Sequence, residues 1–274
     1  MTAQDTGSLT RIGFVGGGNM AEALVRGILA SGLATTEGLV VSEPREERRA
    51  YLGDTYGVQC VEDNGALAER CDVVVLAVKP GLVSTVLQAM RSQMNSAVLT
   101  VSICAGVRTR DIERELADGA RVVRAMPNTA AMALAGATAI AAGASASEAD
   151  LDLARGLFEA VGRCVVVPEE ALDAVTGLSG SGPAYVMLVI EALADGGVQA
   201  GLPRDVAQLL AAQTVYGAAK LQLDTGEDPA CLRERVTSPG GTTVAGLAKL
   251  NQEGVRAAFV AAVKAATERS VELG

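Results

Sequence analysis

The run Ile12-Gly13-Phe14-Val15 opens directly onto Gly16-Gly17-Gly18-Asn19-Met20-Ala21, and this junction constrains the fold more than any other stretch of the chain. The turn fits Gly16-x-Gly18-x-x-Ala21, in which the first glycine permits a tight turn out of a strand and the second lets the backbone approach a pyrophosphate. Taken alone the pattern is weak. Its context strengthens it: an apolar strand precedes it, and Met20, Leu24 and Ile28 line one face of the helix that follows.

The residues after it repeat the same unit. β-branched or small apolar runs occur at 12–15, 39–42, 73–78, 98–102, 122–125, 137–142 and 164–167, separated by longer helical segments. Several lack polar alternation, as strands covered on both faces do. This predicts an α/β domain with a mostly parallel sheet, of the Rossmann type, over residues 1–168. Beyond Pro168 such runs stop and helix punctuation takes over, with Pro183 and Pro203 at expected first turns, so residues 169–274 are predicted to be all helix. Small residues at Ala192–Gly197 and Ala211-Ala212 predict close helix packing there, within or between subunits.

Composition narrows the partners. The 274 residues are 49% hydrophobic, enough for a sizeable core, and 23 basic against 32 acidic side chains give a net charge of −9. That balance argues against nucleic acid or an anionic membrane as partner. The start, Met1–Arg11, is polar and lacks an apolar segment, and the apolar run from Pro183 to Ile190 stops at Glu191, so neither a leader nor a membrane span is expected. Five scattered cysteines without a C-x-x-C pair point to a reducing, cytoplasmic setting. There is no histidine, which removes mechanisms that need an imidazole acid, base or metal ligand. No metal is expected.

Around the glycine turn, Glu43 follows the second strand 25 residues after Gly18, where an acidic residue binds an adenine ribose. Glu43 repels a 2′-phosphate, whereas Arg45, Arg48 and Arg49 can bind one or simply form a solvated helix start, so NADH and NADPH both stand. Lys79-Pro80 ends the strand begun at Asp72 and falls beside the ligand crevice of such folds. Asn64 reads either as an N-cap or as a ribose contact. Cys104, at another strand end, reads as a buried structural thiol.

A second anion-binding turn lies far downstream, in Ser238-Pro239-Gly240-Gly241-Thr242-Thr243, where hydroxyls, a proline and paired glycines open a helix. Together with Ala77-Val78-Lys79-Pro80, Ala125-Met126-Pro127-Asn128-Thr129 and Thr176-Gly177-Leu178-Ser179-Gly180-Ser181-Gly182-Pro183-Ala184-Tyr185, it makes the chain resemble Δ1-pyrroline-5-carboxylate reductase over nearly its whole length. The resemblance implies reduction of the ring imine to L-proline with NADPH or NADH, the last step of proline biosynthesis. It also implies a helical domain that interlocks in a dimer, with dimers often joined into decamers. By the same resemblance Ser238, Gly240, Gly241, Thr242 and Thr243 surround the substrate, Thr243 meets the ring nitrogen, and Asn128 lies near the nicotinamide. Gly16, Gly18, Asn19, Met20, Asn64, Ala77, Lys79 and Pro80 match the cofactor positions, and Ser42, Glu43 and Arg45 stand where the adenosine end is read.

The chemistry suits the residues. A protonated imine already carries its proton, so its reduction needs positioning more than acid catalysis. Thr243 also reads as a plain helix cap. Two rivals share the fold: a β-hydroxyacid dehydrogenase, for which Lys220 would have to serve as catalytic lysine, and a non-catalytic dinucleotide sensor.

Overall fold

The computed structural model describes residues 10–94 and 96–274; the polar start discussed above therefore falls, up to residue 9, outside the described residues. Two compact units are seen, one extending to Gly180 and taking in Ala266–Gly274, the other spanning Ser181–Ala265.

The first unit is built on eight strands: β1 (Ile12–Val15), β2 (Leu39–Ser42), β3 (Gln59–Val61), β4 (Val73–Leu76), β5 (Leu99–Ser102), β6 (Arg121–Met126), β7 (Gly136–Ala142) and β8 (Gly162–Val166). Its helices are α1 (Asn19–Ser31), α2 (Glu46–Tyr56), α3 (Asn64–Ala68), α4 (Val83–Met90), α5 (Thr109–Glu115), α6 (Glu148–Glu159) and α7 (Leu172–Val175). The sheet order is β3-β2-β1-β4-β5-β6-β7-β8. The first six positions reproduce the doubly wound order whose direction reverses between β1 and β4, the crevice where such sheets bind ligands.

β1, β2, β4 and β5 are buried at every position, as their unbroken apolar runs require. One side of the sheet packs Phe14, Leu24, Ile28 and Phe158 together, and the other packs Leu67, Leu76, Leu87 and Ile112. Each such side chain contributes roughly 1.5–3 kcal/mol through removal from water.

Two features lie outside what the expectation of a mostly parallel sheet specified. β3 escaped it, because three half-exposed residues at a sheet edge carry little apolar signal. β7 runs antiparallel to β6. The connection between them, residues 127–135, is shorter than the dozen or so residues that a parallel crossover needs.

The second unit holds α8 (Gly182–Gln199), α9 (Arg204–Thr225), α10 (Pro229–Arg235), α11 (Thr242–Gln252) and the greater part of α12 (Val255–Leu273). α8 and α9 pack through Ala194, Ala207 and Ala211, and a Cβ on Gly197 would lie 3.1 Å from that of Ala207. Small residues thus bring these two helices together within one chain. Much larger side chains, among them Met187, Leu188, Leu209, Tyr216 and Val260, are exposed. By length and composition the helical run Glu169–Gln199 could cross a membrane, although Pro183–Ile190 alone is too short. The longer run takes in the 3-10 turn at Glu169–Ala171, α7 and a π-helical turn at Thr176–Gly180 as well as α8.

Candidate active site

The glycine turn is constrained at each of its first two positions, by backbone at Gly16 and by side chains at Gly17. Gly16 has φ of +98°, and a Cβ there would stand 2.6 Å from the Ala77 carbonyl oxygen. Its N–H donates to the Ser42 carbonyl at 2.8 Å, and the Ala77 N–H donates to Val15 O at 2.9 Å. Gly16, Ser42 and Ala77, predicted separately, are therefore neighbours at the ends of β1, β2 and β4. Gly17 is also crowded, since its Cβ would meet Leu52 Cδ1 at 2.8 Å.

Gly18 is different: no atom lies within 4 Å of the Cβ it lacks. It occupies the N-cap of α1 in an extended conformation, and no side chain caps the helix. The amides of Asn19, Met20 and Ala21, in the first turn of α1 beside the switch point, thus have no side-chain cap. That space and those donors fit a dinucleotide pyrophosphate.

Glu43 is nearly buried, its side chain 6% exposed. Oε2 accepts the Gly17 N–H at 3.0 Å, while Oε1 accepts the Arg45 N–H at 3.2 Å and Arg45 Nε at 2.7 Å. Burial by itself pushes this carboxyl up, but the hydrogen bonds from Arg45 and Gly17 outweigh it and hold the group below the usual carboxylate range.

The three arginines separate cleanly. Arg48 Nε donates to Gly17 O at 2.6 Å, and its Nη2 pairs with Glu22. Arg49 donates to the carbonyls of Glu43 and Pro44, each at 2.7 Å. Arg45 is 68% exposed, so of the three it has the freedom to turn toward a ligand. Ser42 Oγ donates to Asn64 Oδ1 at 2.6 Å. The cap of α3 is Asp63, which accepts the Gly65 N–H at 2.9 Å, so Asn64 is not that cap.

After β4, Ala77 is half-buried whereas Lys79 and Pro80 are exposed, and Pro80 opens a short 3-10 turn. Cys104 is buried, with its thiol donating to Val78 O at 3.3 Å, and burial pushes its pKa up. It is a structural thiol. Asn128 uses both ends of its amide within this unit: Oδ1 accepts the Ala137 N–H at 3.2 Å and Nδ2 donates to Ser179 O at 2.9 Å, in the π-helical turn. The hydroxyls of Thr176 and Ser179 back-bond to the carbonyls of Leu172 and Val175.

In the second unit, the Gly241 N–H closes a turn onto Ser238 O at 2.9 Å, with Pro239 second and Gly240 third at φ of +71°. That is the residue pattern of a type II turn, which needs a positive φ at its third position. Gly241 is the N-cap of α11, and a Cβ on it would strike Ser238 Oγ at 2.4 Å. No side chain caps this helix. Thr243 is therefore the second residue of α11 and not its cap. Thr243 thus stands in the first turn of α11, at the end of the helix where a carboxylate is stabilised by the helix dipole. Lys220 is exposed and paired with Asp224 on α9.

Residues 169–273 match the family described as pyrroline-5-carboxylate reductase dimerisation, and residues 11–106 match that described as NADP oxidoreductase, coenzyme F420-dependent. The pyrroline-5-carboxylate reductase of Synechocystis sp. is 50% identical to this chain over 264 residues, 96% of this chain and 98% of that protein. The chain belongs to the pyrroline-5-carboxylate reductase family. The family's protein from Methanosarcina acetivorans is 47% identical over the same shares of both chains. The solved pyrroline-5-carboxylate reductase of Coxiella burnetii superposes with a TM-score of 0.93 at 37% identity, covering 97% of this chain and 99% of that one. The pyrroline carboxylate reductase of Plasmodium falciparum, solved with NADP bound, superposes with a TM-score of 0.85 at 30% identity, covering 97% and 98%.

The exposed apolar side chains of α8, α9 and α12 fall within the stretch that matches the dimerisation family. Sequence reasoning missed four participants near the turn, namely Glu22, Arg48 in its present role, Tyr51 and Tyr56. Glu22 Oε1 accepts both tyrosine hydroxyls, at 3.0 and 2.8 Å. Spacing within α2 carries no signal for them, because what gathers Arg48, Tyr51 and Tyr56 is Glu22, an acceptor on α1.

Proposed function

We infer that this chain reduces Δ1-pyrroline-5-carboxylate to L-proline, the last step of proline biosynthesis. The observation that carries the reading is 50% identity to a pyrroline-5-carboxylate reductase over 96% of the chain, with both anion-binding turns present. NAD(P)H supplies the hydride. The amides of Asn19, Met20 and Ala21 hold its pyrophosphate, with Gly16 and Gly18 making room. Ser42, Glu43, Arg45 and Asn64 take the adenosine ribose, and Ala77, Lys79 and Pro80 flank the cofactor beyond β4.

For the imine, the amides of Gly241, Thr242 and Thr243 bind the carboxylate, with Ser238 and Gly240 shaping the turn. The Thr243 hydroxyl orients the ring nitrogen. Because helix capping does not occupy it, that hydroxyl is free for the substrate. Asn128 contributes from the loop after β6. The substrate nitrogen brings its own proton, and so a chain without histidine suffices. Lys220, exposed on α9 and paired with Asp224, speaks against a 3-hydroxy-acid reaction. A complete second anion turn speaks against a sensor.

The working assembly in this reading is a dimer, or dimers joined into a decamer, in the cytoplasm. The test is oxidation of NADH and of NADPH with pyrroline-5-carboxylate, followed by the reverse assay with 3-hydroxy acids. Imine reduction with either cofactor supports the assignment. Turnover confined to hydroxy acids, or cofactor binding without turnover, overturns it.

A further inference from the structure

Gly17 is held on both sides by charged groups from one short segment. Its N–H donates to Glu43 Oε2 at 3.0 Å and its carbonyl accepts from Arg48 Nε at 2.6 Å. Each of those side chains is itself anchored: Glu43 by Arg45, and Arg48 by Glu22. The Arg48 guanidinium also stacks over the Tyr51 ring, 5.0 Å from its centroid, and Glu22 is fixed by the two tyrosine hydroxyls. Arg48 and Glu22 are only about one-fifth exposed. Charge-assisted bonds in such partly enclosed positions are stronger and better oriented than exposed ones.

The consequence lies one residue further on. The Gly17 carbonyl belongs to the peptide whose nitrogen is Gly18's, so fixing that carbonyl fixes the plane from which α1 departs and the direction of its first amides. Glu22, moreover, is an acidic side chain in the first turn of α1, on the helix that would receive an anionic pyrophosphate. Arg48 neutralises it.

We propose that Arg48 is a positioning residue for the dinucleotide, aligning the glycine turn through Gly17 and screening Glu22 from the pyrophosphate, without touching the cofactor's 2′ position. Glu43 holds the other side of the same residue. The group that reads the ribose is thereby mechanically linked to the seat of the pyrophosphate. The inference rests on assigning this turn to NAD(P)H.

The experiment titrates NADH and NADPH, by their own fluorescence, into the full-length protein and its Arg48→Ala, Arg48→Lys and Glu22→Gln variants. Steady-state KM for the imine and thermal midpoints are measured in parallel. Arg48→Ala is expected to weaken both cofactors by the same factor, roughly tenfold or more, with KM for the imine unchanged. Arg48→Lys restores part of the affinity by meeting one of the two acceptors.

If Arg48→Ala fails to fold, the lysine variant carries the test, expected to weaken both cofactors by a smaller common factor, whereas Glu22→Gln, which removes the charge that Arg48 screens, is expected to leave both affinities no lower than those of the wild type. Unchanged affinities in the Arg48 variants, or a loss in Glu22→Gln as large as that in Arg48→Ala, overturn the proposal. A loss confined to NADPH also overturns it, since Arg48 would then contact the 2′-phosphate directly. Wild-type protein that binds neither cofactor refutes the assignment of the turn instead.

Discussion

Asn128 fastens the π-helical turn to the sheet: its Nδ2 donates to Ser179 O at 2.9 Å while its Oδ1 accepts the N–H of Ala137 in β7. Both bonds are shielded, since Asn128 is buried. Asn128→Ala leaves a backbone donor and an acceptor without partners and is expected to destabilise the fold by about 1–3 kcal/mol, read as a lower thermal midpoint. Asn128→Asp keeps an acceptor for Ala137 but turns a carboxylate oxygen toward Ser179 O. Its midpoint deficit relative to the wild type is expected to be larger at neutral pH than at pH 4, and an equal deficit at the two would show that this pairing is unimportant.

Gly16 and Gly18 are predicted to respond in opposite ways to the same substitution. Gly16→Ala forces a Cβ against the Ala77 carbonyl at a positive φ, so the protein is expected to lose stability. Gly18→Ala meets only open space within the protein, so its melting temperature should stay near that of the wild type. Its added methyl instead occupies the space assigned to the pyrophosphate, and KM for the cofactor is expected to rise tenfold or more. Thermal melts and cofactor titrations on the two variants check both halves.

These contrasts show where the sequence was legible. β1, β2, β4 and β5 were readable because both of their faces are buried, which writes an unbroken apolar run. Both glycine turns were readable as turns because Gly16 and Gly240 take a positive φ and Gly241 has no room for a Cβ. β3 was not, being short and at an edge. The reversal at β7 depends on loop length rather than on residue type. Nor could Arg45, Arg48 and Arg49 be told apart in sequence, because their roles are set by acceptors on other elements, Gly17 O and Glu22 for Arg48, and the Glu43 and Pro44 carbonyls for Arg49.

Glu43→Ser tests cofactor choice. Removing the carboxylate removes its repulsion of a 2′-phosphate and frees Arg45, whose Nε it now holds at 2.7 Å. The kcat/KM ratio of NADPH to NADH is expected to rise. The structure adds a second expectation that the residue type alone did not offer: because Gly17 N–H loses its acceptor, KM for NADH should rise as well. A ratio that stays constant would remove Glu43 as the discriminator.

The alkaline limit of stability should report on Tyr56. Burial, followed by its hydrogen bond to Glu22, pushes this phenol from 10.0 up to about 12. A raised folded-state pKa favours the protonated form, so the contribution is complete below pH 10 and disappears as pH climbs toward 12. Over that interval the thermal midpoint of the wild type is expected to fall more steeply than that of Tyr56→Phe. Parallel curves would show that the bond to Glu22 does not carry the effect.

Thr243 is the sharpest test of the chemistry, because its position within α11 separates catalysis from capping. Gly241 occupies the cap, so Thr243→Ala removes a hydroxyl without removing a cap and should leave the thermal midpoint nearly unchanged. If that hydroxyl orients the imine nitrogen, the lost bond, worth about 1.5–3 kcal/mol to a charged group, corresponds to roughly 10- to 160-fold in kcat. Affinity for NADH should persist, since the dinucleotide turn lies in the other compact unit. Thr243→Ser keeps the hydroxyl and should recover most of the rate. Should the alanine variant turn over at the wild-type rate, the ring nitrogen is oriented by some other group, and the turn's role reduces to holding the carboxylate through its backbone amides.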